Sequence, residues 1–437
     1  MKSRMLAWIA VISVCSVPAM LHQAFAQEQP QQAQHLSHYT VTDLGTLGGT
    51  FSIAFGINDK GQIDGLSTTP GDQVTHGFFL ENGVMTDMGT LGGPNSQALF
   101  GPGEAQATGF AENGIPDPNG EDFCGLGTNL VCLNFVWQNG VMTPLSTLGG
   151  NNAQGSDINA QGQIAGMAEN SIADPNCPAP QVLQFRPALW TEGKIQALPV
   201  YLGDPEGAAF GINDRGDSVG ASGICAAYDL RYGVALQPQH ALLWRKGSVK
   251  PIDLGNLGGR INNAGFAIND MEQVVGASDI AGDQFQHAFL WQHNVIRDLG
   301  TLPGDVASAA IGVNNRAQAT GVSIDAAGNL RAFLWQDGVM TDLNTLIPPN
   351  SPLYLMHGCG INSRGQIVGF ALQISTGELH AYLATPVTGE GTSAGYASSS
   401  GAGAAKIAIP EGARKQLHKW VRIGRFATAA GDSEPGS

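Results

Sequence analysis

The 437-residue chain carries 21 Lys and Arg against 36 Asp and Glu, a formal net charge of −15, with only 13% of its residues charged. A body this acidic repels nucleic acid and anionic membrane surfaces, which excludes both as partners of the main domain. With 60 glycines and 7% aromatic residues, long helices are disfavoured, and short strands joined by tight turns are expected.

Lys2 and Arg4 precede an apolar run from Met5 to about Leu21, which ends at Ala24-Phe25-Ala26 before polar Gln27-Glu28-Gln29. This order predicts a secretory signal peptide over residues 1–26; a membrane anchor would need a longer run and no small-residue cleavage site. No later stretch is long and apolar enough to span a bilayer, so the mature chain is expected to be exported, periplasmic or extracellular, without a transmembrane span. Residues 27–38 form a lead-in.

From residue 39 to 386 the chain aligns on itself in seven units. The anchors are Asn58, Asn159, Asn213, Asn269, Asn314 and Asn362, with a degenerate second unit, Phe100-Gly-Pro-Gly-Glu104, in the gap after Asn58. A period of roughly 45 to 56 residues is that of propeller blades. Each unit predicts four strands: one ending at the anchor, as in Ala54-Phe-Gly-Ile-Asn58; one like Gln273-Val-Val-Gly276; one like His287-Ala-Phe-Leu-Trp291; and one like Val339-Met-Thr-Asp-Leu343. Turns such as Gln138-Asn139-Gly140 join them into an antiparallel meander.

The last unit stops after its third strand, His380-Ala-Tyr-Leu-Ala384, whereas the first is preceded by a surplus strand, Tyr39-Thr-Val-Thr-Asp43-Leu44. In a ring the surplus strand completes the last blade and covers its open edge. An all-β, seven-bladed β-propeller of four-stranded antiparallel blades is therefore expected, closed by the N-terminal strand. The alternative, an open β-solenoid, would need capping units that the sequence lacks.

Units reading His287-Ala288-Phe289-Leu-Trp, Asp43-Leu-Gly-Thr-Leu-Gly-Gly49 and Ile-Asn-x-x-Gly-Gln-Val-Val-Gly resemble the HAF family of probable extracellular repeat proteins. The resemblance spans residues 39 to 386 and departs from the pattern at the second anchor and at Ala197-Leu-Pro-Val-Tyr-Leu-Gly203. It implies an exported repeat protein and brings no catalytic residue.

The recurring polar residues read as structural. His76, His240, His287 and His380, with Arg186 and Arg331 at the same place, start third strands; Arg can replace His as a donor but not as a metal ligand. Asp43, Asp87, Asp253, Asp298 and Asp342 are their expected acceptors, and the anchor asparagines are expected to bond their own turns. Trp137, Trp190, Trp244, Trp291 and Trp335 are expected to pack between blades.

What differs between units points to function. The connections between second and third strands are long only in units two to four, about Ala111–Val131, Ala168–Gln184 and Ala221–Gln239. They predict a one-sided wall on the face where propellers bind ligands. Cys124, Cys132, Cys177 and Cys225 sit in it, and proximity favours the disulfides Cys124–Cys132 and Cys177–Cys225, leaving Cys359 a buried thiol. The spacings lack the paired form of a zinc site, so no metal is assigned. Asp117, Asn119, Glu121, Asp122, Asp174 and Asn176 supply oxygens, with Tyr228, Asp229, Arg231 and Tyr232 in the third loop, and these are the ligand-binding candidates. No cofactor is required; calcium is the ion that the oxygen-rich loops could take, although no full calcium-loop pattern is present.

No nucleophile elbow, zinc-protease motif or phosphate loop occurs, and catalytic residues stay unassigned, so the reading leans away from an enzyme. Residues 387–405 are a Gly/Ser/Ala-rich linker, and 406–437 form a basic tail, expected to be flexible, to bind an anionic surface or to fold back onto the acidic propeller. The expectation is a monomeric, exported scaffold that binds an extracellular glycan or protein, or adheres to a surface, through the loops of blades two to four. The alternative is a secreted polysaccharide hydrolase or lyase working from the same face.

Overall fold

The computed structural model describes residues 37–229, 234–387 and 407–417, with the side chains of Tyr228, Asp229 and Val234 left out. The expected signal peptide over residues 1–26, Arg231 and Tyr232, the linker from residue 388 and the tail beyond residue 417 lie outside the described residues.

Seven four-stranded antiparallel sheets follow one another. Blade one comprises Ser52–Ile57, Ile63–Thr68, Thr75–Glu81 and Val84–Asp87. The ring closes as expected: Tyr39–Gly45 runs antiparallel to Leu379–Pro386, pairing Thr42 with Leu383 and Asp43 with Tyr382. The last blade is thus built from both ends of the repeat region, and its edge strand is covered.

One glycine per blade is required by the packing of the first two strands. A Cβ on Gly65 would stand 2.0 Å from the carbonyl oxygen of Ile53, and one on Gly276 would stand 2.0 Å from that of Ala264. No larger side chain fits without displacing backbone, which explains the recurrent Val-Gly ending of the second strand.

Both strand faces are buried against neighbouring blades, and the five tryptophans of the third strands are buried, Trp190 and Trp291 almost completely. Between blades five and six, for instance, Val275 and Leu290 pack with Ala310, Ala319 and Phe333. Burying one such large apolar side chain contributes about 1.5–3 kcal/mol.

The anchor asparagines do more than cap their turns. Asn269 Oδ1 accepts from the amides of Met271 and Gln273 within its own turn, while its Nδ2 donates to the Asn314 carbonyl of the next blade at 2.8 Å. The relay continues from Asn314 to Asn362 and from Asn362 to Asn58, then from Asn58 to Gly103, where the degenerate unit has no amide to pass on. From Asn159 it resumes through Asn213 to Asn269. A turn motif visible in sequence is therefore also an inter-blade belt around the axis, interrupted at blade two.

The histidine pairs form as expected in three blades, with Nδ1 to carboxylate distances of 2.9 Å for His76–Asp87, His287–Asp298 and His380–Asp43. Arg331 pairs with Asp342 at 3.2 Å and with Asp305 at 2.7 Å. Blade four differs: His240 turns to Asp204 at 2.9 Å and stacks on Tyr201, while Asp253 caps the amide of Gly255. The irregular loop before blade four brings both Asp204 and Tyr201 within reach.

Part of the basic tail packs on the ring. Ile409, Ala413 and Leu417 are buried around the short helix Glu411–Gln416. Arg414 Nη2 donates to Asn329 Oδ1 in blade six at 3.0 Å, and Gln416 Nε2 donates to Thr50 Oγ1 beside blade one at 2.6 Å.

Candidate functional site

The long connections of blades two to four are extensions of the second strands rather than free loops. These strands run Gln106–Pro116, Ile164–Ala173 and Ser218–Asp229, or 11, 10 and 12 residues, against 6 in blade one. Two disulfides tie the projecting hairpins: Cys124–Cys132 within blade two, and Cys177–Cys225 between blades three and four. Cys359 is a buried free thiol, and desolvation raises its pKa far above the usual thiol range.

Inside the wall, the predicted ligand residues bond to the protein itself. Asp117 and Glu121 are buried. Asp117 Oδ1 accepts from the amides of Asn119 and Glu121, and its Oδ2 from Asn152 Nδ2 at 2.9 Å. Glu121 Oε1 reaches into blade three and accepts from the amides of Val182 and Leu183 at 2.7 and 2.6 Å and from Gln181 Nε2 at 3.2 Å. Its Oε2 accepts from Asn119 Nδ2. Asp122 accepts from the Gly127 amide. Asp174 Oδ1 accepts from both nitrogens of Asn176. Tyr228, Asp229, Arg231 and Tyr232 fall where side chains are not described.

Sequence reasoning missed the partners that join these groups. Glu169 is buried, accepts from Asn152 and Gln181, and is pushed up to about 8, first by desolvation and then by the charge of Glu121. Glu206 opens the first strand of blade four, accepts from the Phe185 amide at 2.7 Å, and is pushed up to about 9 by desolvation, with Asp174 adding to the rise. Glu112 accepts from Asn95 and from the Thr128 hydroxyl. The available signal was register: Glu112 and Glu169 lie three residues after Gly109 and Gly166, where blade one carries Thr68 after Gly65.

The outer edge of the wall is apolar. Ile115 and Ile172 occupy equivalent places, six residues past those glycines, and are 58% and 59% exposed, with Ile224 of blade four 41% exposed. Asn113 and Asn170 hold them alike, each accepting from the isoleucine amide at 2.9 and 2.8 Å.

Two cavities lie at the two units where the repeat breaks. One, of 380 Å³, opens at the axis among the anchor turns, opposite to the wall, and is lined by Phe100–Glu104 together with Asp59, Asp157, Asp214 and Asp270. Asp157 stands where blade one has Gly56; its carboxylate accepts from the amides of Ile158 and Ile212 and is pushed up to about 7 by burial. Asp64 is buried beside Gly56 and Gly101, and desolvation, then the charge of Asp157, hold it well above the carboxylate range against the backbone amides of Gly56 and Gly101 that point at it. The other, of 730 Å³, lies between blades three and four and is lined by Ala197–Gly203, Trp244 and Val249.

This geometry defines a seven-bladed β-propeller closed by its N-terminal strand. No family model matches the chain, and no curated protein matches it. Among solved structures it is similar to a prolyl endopeptidase at 11% identity, covering 79% of this chain and 52% of that one with a TM-score of 0.48. It is similar to an oligogalacturonate lyase in complex with manganese at 11% identity, covering 81% and 94% with a TM-score of 0.47. It is also similar to the β-propeller domain of the Trilobed protease from Pyrococcus furiosus at 12% identity, covering 66% and 81% with a TM-score of 0.41. The chain spans little more than half the length of the puromycin-hydrolyzing peptidase from Mycobacterium tuberculosis that it also matches, 56% of that chain. The likeness is one of fold. Among the described residues no helix is long and apolar enough to cross a membrane.

Proposed function

We propose that this chain is an exported ligand-binding scaffold of the HAF type, and that the wall of blades two to four is its recognition surface. The observation that carries this reading is the contrast between the interior and the crest of the wall. Disulfides and buried carboxylate bonds hold the hairpins rigidly, while Ile115, Ile172 and Ile224 stand exposed on top. A rigid apolar crest loses little entropy on binding and offers area to a protein surface or to the apolar face of a glycan. Two disulfides suit an oxidising compartment. The test is a binding screen against glycans, cell-wall fragments and surface proteins, repeated with Ile115→Asp and Ile172→Asp. Binding that survives both changes would move recognition elsewhere.

A catalytic reading has one observation in its favour: Asp157, at about 7, lines a cavity with Asp64 close behind it. A carboxyl poised near neutrality suits general acid–base work on a polysaccharide. That reading places the chemistry at the end of the ring opposite to the wall. Released reducing ends or unsaturated products that vanish in Asp157→Asn would favour the enzyme over the scaffold.

A further inference from the structure

Asp174 and Glu206 face each other across the seam between blades three and four. Both are buried, Asp174 8% and Glu206 0% exposed. Asp174 Oδ2 and Glu206 Oε1 receive no donor from the rest of the protein, although every other oxygen of the pair does; these two carboxyl groups reach only each other. Carboxylate oxygens of the two residues and Cys177 Sγ lie within 4.8 Å of one another. Nothing but a shared proton can bridge these two desolvated carboxyls, and once it is lost they are costly unless another positive charge occupies the space.

We propose that Asp174 Oδ2 and Glu206 Oε1 are the paired ligands of a divalent cation, calcium by its chemistry, which fastens the blade-three hairpin to blade four. The donor set selects a hard ion: Cys177 is bonded to Cys225, so its sulfur offers no thiolate, and the donors left are carboxylate oxygens. Cation and proton then compete for one place, and affinity rises with pH. The site differs from the cluster at Asp117 and Glu121, whose oxygens are taken by amide donors. It stands independently of what the wall binds.

The test uses the oxidised full chain, stripped with chelator and then titrated with calcium at pH 8 by calorimetry, with terbium luminescence as a second readout. One equivalent should bind and raise the Tm by several degrees. Asp174→Asn and Glu206→Gln should each weaken binding at least tenfold while remaining folded by circular dichroism, and Asp337→Asn, in an exposed turn of blade six, should leave it unchanged. If the stripped protein binds no calcium between pH 7 and 9, the pair shares only a proton and the proposal fails. Binding that persists in the double variant Asp174→Asn/Glu206→Gln would overturn it equally.

Discussion

Asp43 and His380, 337 residues apart in the chain, meet at 2.9 Å across the seam where the ring closes. The same pairing within blade one, His76 with Asp87, spans 11 residues. The contact is identical in kind, but at the seam it can form only after the whole ring has closed. The local pair costs little loop entropy, whereas the seam pair depends on every blade between its partners.

The closing strand should therefore control global stability. Tyr39 is 1% exposed and donates its backbone amide to Leu346 at 2.8 Å. Tyr39→Ala should cost about 3–4 kcal/mol, as for other buried aromatics. Deleting residues 27–45 should abolish the cooperative unfolding transition measured by calorimetry; a still cooperative, stable protein would argue for an open stack.

Stability should fall as pH rises from about 5 to about 9. Glu206, Glu169 and Asp157 hold their protons to about 9, 8 and 7, well above the range in which the unfolded chain ionises. Between these limits the folded state binds more protons than the unfolded one, so ΔG of unfolding declines with pH and levels off above the folded values. Urea midpoints measured in chelator at pH 5 and pH 9 should show the drop, and Glu206→Gln should flatten its upper part. A midpoint rising over this interval would contradict the burial of these groups.

The two disulfides should be unequal. Cys177–Cys225 closes 48 residues and Cys124–Cys132 closes 8. Chain entropy then gives about 4 kcal/mol for the first and about 2.5 kcal/mol for the second. Comparing denaturant midpoints of the two Cys→Ser pairs checks the order.

The asparagine belt should be worth more than a turn cap. Asn269→Ala removes two acceptances within its turn and the donation to Asn314. Leaving these groups unpaired should cost about 2–4 kcal/mol. A loss below 1 kcal/mol would make the belt incidental.

The blade count, the strand order, the closing strand and both cysteine pairs were legible because each rests on local pattern: turn signals, alternation and a missing strand at one end matched by a surplus at the other. The partners of His240 were not legible, since Asp253 stands at the repeat position and Asp204 reaches it only through an irregular loop. The acidic hairpins read as ligand sites because a sequence records which oxygens are present. It does not record which amides already occupy them, as those of Val182 and Leu183 occupy Glu121.

The repeat thus carries the ring in its own short-range grammar, since each blade needs only its glycines, turns and apolar faces. The pairing of Asp174 with Glu206, the belt that stops at Gly103, and the cavity at Phe100–Glu104 arise between units. They depend on desolvation and on distances across blade seams, which exist only once the ring has closed.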